Sequence, residues 1–137
     1  MNEFSADADV QGGSHAGARA RRVIERALGG RLSQETLADV SLLVTELVSN
    51  GVWHGGADER STLHLHVSGD DGVVRIEVEN PDGAGGEPAQ RRPDLYGGGG
   101  LGLHIVERVA SRWGVRRAPR VAVWFELDRD GNRLPLA

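Results

Sequence analysis

Two runs of alternating residues, Leu63-His64-Leu65-His66-Val67 and Val73-Val74-Arg75-Ile76-Glu77-Val78-Glu79, constrain the fold of this chain more than any other feature. A period of two sends apolar side chains to one side and polar ones to the other, the signature of a half-buried strand. The polar connection Ser68-Gly69-Asp70-Asp71-Gly72 joins the two as a hairpin. The apolar face of such a hairpin needs cover, and the flanking segments carry the helical periodicity that supplies it.

Upstream, Ser14 to Leu28 places its apolar and small residues on one face of a helix that bears Arg19, Arg21, Arg22 and Arg26, and Gly29-Gly30 stops it. Ser33, followed by Glu35 and Thr36, starts a second helix whose Leu37, Val40, Val44, Leu47, Val48 and Gly51 share a face. It is expected to run to about His54, before Gly55-Gly56. Downstream, Asn80 to Gly100 holds three of the five prolines and many glycines; it is too long for a turn, too polar for core, and reads as a mobile lid. Leu101 to Trp113 restores helical spacing, and Val115–Arg117 with Val121–Leu127 form a second hairpin turning near Pro119. Antiparallel strand pairs with the helices gathered on one face make an α+β fold, a two-layer α/β sandwich with a mostly antiparallel sheet. The expected limits are a loosely ordered segment with one edge strand over residues 1–13, anchored by Phe4 and Val10, one domain over 14–130, and a tail over 131–137.

Composition narrows the chemistry. A length of 137 residues suits one domain, and 39% hydrophobic with 26% charged residues is the balance of a soluble globular protein without a membrane span. The N-terminus has neither a basic start nor an apolar stretch of signal-peptide type, so a cytoplasmic location is expected. No cysteine is present, which excludes disulfides, thiolate zinc sites and cysteine nucleophiles. All sixteen basic residues are arginine, so the phosphate-binding lysine of a P-loop or of a eukaryotic-type kinase is absent, as is lysine Schiff-base chemistry. A net charge of -4 argues against direct nucleic-acid binding.

Two motifs carry the candidate chemistry. In Glu46-Leu47-Val48-Ser49-Asn50-Gly51-Val52-Trp53-His54-Gly55, residues four apart are turned by roughly 40°, so Glu46, Asn50 and His54 form a stripe beside the apolar face. A carboxylate one turn from an amide suits a hard cation with phosphate ligands, with Asn50 on magnesium and Glu46 orienting or deprotonating an attacking hydroxyl. The same spacing also fits a solvated strip on an amphipathic helix. In Gly98-Gly99-Gly100-Leu101-Gly102-Leu103, glycine lets the backbone approach a triphosphate while the following helix offers its positive end. A flexible linker and helix start is the plainer reading of that run. Together, the order and spacing of the motifs and the strands between them suggest an ATP site.

With these motifs, and Arg112-Trp113-Gly114-Val115 after them, the chain resembles the GHKL ATPases, which include DNA gyrase, heat-shock chaperones, mismatch-repair proteins and histidine kinases. Its size and signatures are similar to the bacterial anti-sigma factor serine kinases and small actinobacterial regulators. The resemblance covers nearly the whole chain and implies a Bergerat-type fold with a mobile ATP lid, using ATP and Mg2+. It further implies capture of a sigma factor and transfer of the γ-phosphoryl group to a serine of a STAS-type anti-anti-sigma partner, the two partners competing; relatives of this kind commonly form homodimers. Carried over by position, Glu46 is the general base, Asn50 the magnesium ligand, and Gly98, Gly100 and Gly102 the phosphate-facing glycines. Gly99, Leu101 and Leu103 belong to the same ATP-binding run, and His54 supports the site at the end of the first motif. A histidine kinase fragment is disfavoured, because no helical hairpin with a phosphoacceptor histidine precedes the domain.

The middle motif departs from the family. Asn80, in Glu79-Asn80-Pro81-Asp82-Gly83-Ala84-Gly85, stands where the resemblance places an aspartate that accepts from the adenine amine. A neutral amide oxygen accepts more weakly than a carboxylate. Asp82 is the alternative adenine contact in a shifted register, and the same residues also read as a turn. His64 and His66, alternating without an evident carboxylate partner, read as surface residues rather than metal ligands. Arg91 and Arg92 read as solvated loop charges or a phosphate clamp, and Arg19, Arg21 and Arg22 as a solvent face or an acidic partner's dock. Sequestration of a partner without catalysis is the alternative function.

Overall fold

The computed structural model describes residues 3–49, 62–79, 101–117 and 120–129, excepting the side chains of residues 49 and 101–103. The elements in chain order are β1 (Phe4–Gln11), α1 (Ala16–Leu28), α2 (Gln34–Ser49), β2 (Thr62–Gly69), β3 (Val73–Glu79), α3 (Leu101–Val109), β4 (Arg112–Arg116) and β5 (Ala122–Asp128). The five strands form one antiparallel sheet in the order β1-β2-β3-β5-β4. The fold is α+β, a two-layer sandwich.

Alternation decides which face the helices cover. Leu63, Leu65 and Val67 of β2, Val74, Ile76 and Val78 of β3, and Val123, Phe125 and Leu127 of β5 are all buried. They join Ala16, Ala20, Ile24 and Leu28 of α1, Val40, Leu43, Val44, Leu47 and Val48 of α2, and Val106 of α3 in one core. Burial of these side chains is the main favourable term in the fold, at roughly 1.5–3 kcal/mol for each large one. The helices also pack on one another, α2 touching α1 and α3.

Local signals set the boundaries. Ser33 caps α2: its Oγ accepts from the Thr36 backbone N–H at 3.1 Å and donates to Thr36 Oγ1 at 3.1 Å. At the end of α1, Gly30 takes φ +85, and the Gly29 N–H reaches the Glu25 carbonyl at 2.9 Å. In the β2–β3 turn the Asp70 carboxylate accepts from the backbone N–H of Gly72 at 2.8 Å and of Val73 at 3.1 Å.

One expectation is met and one is corrected. The edge strand expected within residues 1–13 is present as the eight-residue β1, paired with β2 from Phe4 opposite Gly69 to Gln11 opposite Thr62. The helix expected over 101–113 stops at Val109, and Arg112 and Trp113 open β4, opposite Glu126 and Phe125 of β5. Pairing with β5 overrides the apolar spacing from Val109 to Trp113, because the Ser111 N–H already donates to the Glu126 carbonyl at 2.8 Å. The second helix is described to Ser49, and the lid over 80–100, the turn at Pro119 and the tail lie outside the described residues.

The sheet face away from the helices is a lattice of ion pairs. Arg112 reaches Glu126 at 2.7 Å and Asp128 at 2.6 Å. Arg116 reaches Glu77 at 2.9 Å and Glu79 at 3.0 Å, and Arg75 reaches Glu126 at 3.0 Å. Hydrogen bonds from Arg116 hold the Glu77 carboxyl below its ordinary value, and those from Arg112 do the same for Glu126. Arg75 also lies over the Trp124 ring, 4.3 Å from its centroid.

Candidate functional site

The site is built from the margins of α2 and α3. On α2 the buried arc runs through Val40, Leu43, Val44, Leu47 and Val48. Glu46 sits roughly 60° around the helix from Leu43, and is half-buried. Asp39, seven residues earlier and also half-buried, occupies the same margin. Glu46 therefore borders the core without entering it.

α3 begins at Leu101, directly after the Gly97–Gly100 run. Its first turn contains no acidic residue, and Arg108 lies in its last turn. Its leading N–H groups and positive dipole end are thus uncompensated by acidic side chains of that turn, the arrangement suited to a polyphosphate. Val106 is fully buried and Ile105 and Val109 pack against the core, which fixes the axis of α3 beside α2. β3 ends at Glu79, whose carboxylate is held on the open face by Arg116 and Arg120.

Of the site residues expected from sequence, Glu46 is described with its side chain, and Leu101, Gly102 and Leu103 are placed by backbone in α3. Asn50, His54, Asn80, Asp82, Gly98, Gly99 and Gly100 lie outside the described residues, as do Arg91 and Arg92. The packing of α2 against α3 brings together the helices from which the two motifs extend.

Elsewhere the structure corrects the reading of His64 and His66 as lacking carboxylate partners. Asp7 Oδ1 lies 2.7 Å from His66 Nδ1 and 2.9 Å from His64 Nε2, and Asp9 Oδ1 lies 2.9 Å from His64 Nδ1. No group of three or more His, Asp or Glu among the described residues is arranged to hold a metal ion. The sequence signal was the Asp7-x-Asp9 alternation, which mirrors His64-x-His66 once the strands are known to pair. No helix among the described residues is long and apolar enough to cross a membrane.

The described elements form a five-stranded antiparallel sheet covered on one face by helices, one of which follows a glycine run in sequence. The family profile for the histidine kinase-like ATPase domain matches residues 14–126, so the chain belongs to that family. The match runs from the approach to α1 into β5, and contains both motifs while leaving β1 outside it. No curated protein matches the chain.

Proposed function

We propose that the chain is an ATP-dependent serine kinase that also sequesters a sigma factor. The observation that supports this most is the family match over 14–126, which contains the Glu46-x-x-x-Asn50 motif and the Gly98–Leu103 run that precedes and opens α3 in sequence. A purely sequestering protein has no need of a carboxylate at the general-base position.

ATP would lie with its triphosphate at the start of α3, where the first turn carries no acidic group and glycine allows close backbone approach. The adenine amine would be met by Asn80, or by Asp82. Asn50 and the phosphate oxygens would hold Mg2+, which when bound supplies charge neutralisation of the phosphates. His54 would support the helix end behind Asn50. Glu46 then accepts the proton of a serine hydroxyl on a STAS-type partner; the serine oxygen forms a bond to the γ-phosphorus, the bond from that phosphorus to the β–γ bridging oxygen breaks, and ADP leaves. Phosphorylation of that partner frees the chain to hold the sigma factor, so the two partners compete for it.

The test is transfer of labelled γ-phosphate from ATP to cognate STAS partners, read by phosphoserine formation. Glu46→Gln is expected to reduce the transfer rate by about 10²–10⁴-fold while ATP still binds. A demonstrated complex with the partner and no phosphoserine would leave sequestration alone as the function.

A further inference from the structure

Among the described residues, a cluster of two aspartates and two histidines joins β1 to β2. Asp7 and Asp9 face His66 and His64 across the strand pair, and all four project from the sheet face away from the helices. Both ring nitrogens of His64 meet carboxylate oxygens, Nδ1 on Asp9 and Nε2 on Asp7, each at 2.9 Å. An ionised carboxylate only accepts, and a neutral imidazole has a single N–H to donate, so both contacts are hydrogen bonds only when the ring is an imidazolium. His66 Nδ1 adds a third contact to the same Asp7 oxygen at 2.7 Å.

We propose that β1 is held at the sheet edge by a proton: His64, as imidazolium, straps Asp7 and Asp9 to β2, and loss of that proton loosens β1 and the entry to α1 behind it. The surroundings favour the charged ring. From β3, Glu79 stands opposite His64 and Glu77 opposite His66. Arg116 takes up both glutamates and Arg120 takes up Glu79. Among the described residues, no arginine contacts Asp7 or Asp9 in an ion pair, so the histidines are their cationic partners. The hydrogen bond to Asp9 raises the His64 pKa above its ordinary 6.5, and the bond to His66 lowers that of Asp7 below 3.8. The raised histidine stabilises fully below 6.5 and loses its contribution as pH rises through its folded value. The lowered aspartate contributes above 3.8 and fails as pH falls through its depressed value. The strap is strongest between those limits.

β1 is an edge strand, so releasing it uncovers the backbone N–H and C=O groups along β2, a ready template for another strand. The device therefore couples proton concentration to the exposure of a pairing edge.

The experiment is an NMR titration of the full chain, following the His64 ring and the exchange of β1 amides. In the wild type, His64 is expected to titrate above 6.5, and in Asp9→Asn to move back toward it. Protection of β1 amides, corrected for intrinsic exchange and referenced to β3 and β5, is expected to fall as pH rises from 6.5 through the raised His64 value. His64→Gln is expected to flatten that dependence. A wild-type His64 titrating at or below 6.5, or a pH-dependent protection unchanged in His64→Gln, would overturn the strap.

Discussion

At the scale of single residues, position on a helix separates structural from chemical roles. Glu46 and Thr45 are neighbours on α2, yet their settings differ. Glu46 is half-buried at the margin beside Leu43, whereas the Thr45 hydroxyl oxygen is buried with no hydrogen-bond partner among the described residues. A buried hydroxyl without a partner costs roughly 1–3 kcal/mol, and a methyl of the same shape does not. Thr45→Val is therefore expected to keep or raise the melting temperature; a loss of more than about 1 kcal/mol would show that the hydroxyl is satisfied after all. The candidate site was nameable at this scale because its chemistry is carried by short motifs, Glu46 to His54 and Gly98 to Leu103, of which the structure describes only the Glu46 to Val48 side chains. The partnership of His64 with Asp9 was not, since the two residues are 55 apart and meet only through strand pairing.

At the scale of elements, strand pairing decides what local periodicity leaves ambiguous. β3 was legible to the residue, because seven alternating positions with a turn before them admit one register. β4 was not: Val109 and Trp113 continue the helical spacing of α3, and only the bonds to β5 make Arg112–Arg116 a strand. The edge strand of residues 1–13 was legible without its bounds, because its outward positions are Asp7 and Asp9 and its inward ones include Ala6 and Ala8, too little apolar surface to mark where it starts and stops. Gly114 shows how tightly β4 and β5 are fitted. It stands opposite Trp124, and a Cβ there would lie 2.9 Å from the indole ring. Gly114→Ala is expected to displace Trp124 from beneath Arg75 and cost about 1–3 kcal/mol. The checks are the indole N–H chemical shift of Trp124 and the urea midpoint; no change in either would mean that the ring moves aside freely.

At the scale of the whole molecule, two layers serve separate ends. The helix layer buries the apolar sheet face and carries Glu46 and the start of α3, while the open sheet face is bound by arginine–carboxylate pairs. Those pairs set an acid limit on stability. Glu77 and Glu126 have folded pKa values below 4.5, so their contribution is present above that value and is lost as pH falls through the depressed ones. Urea unfolding as a function of pH is expected to show stability dropping below about pH 4.5, with a shallower drop in Arg116→Gln, whose Glu77 no longer gains from folding. An equal drop in both proteins would assign the acid limit to other groups. The sheet order itself was beyond sequence reasoning, because β3 and β5 are neighbours although residues 80–100, α3 and β4 intervene.

We propose that this histidine kinase-like domain binds ATP through the Glu46–His54 and Gly98–Leu103 motifs. It is tested most directly by calorimetric titration of the folded protein with ATP, with and without Mg2+, and with GTP as the control for base selectivity. Saturable ATP binding that strengthens with Mg2+, is lost with GTP, and loses its Mg2+ dependence in Asn50→Ala is the expected result. Folded protein that takes up no nucleotide under any of these conditions would contradict it.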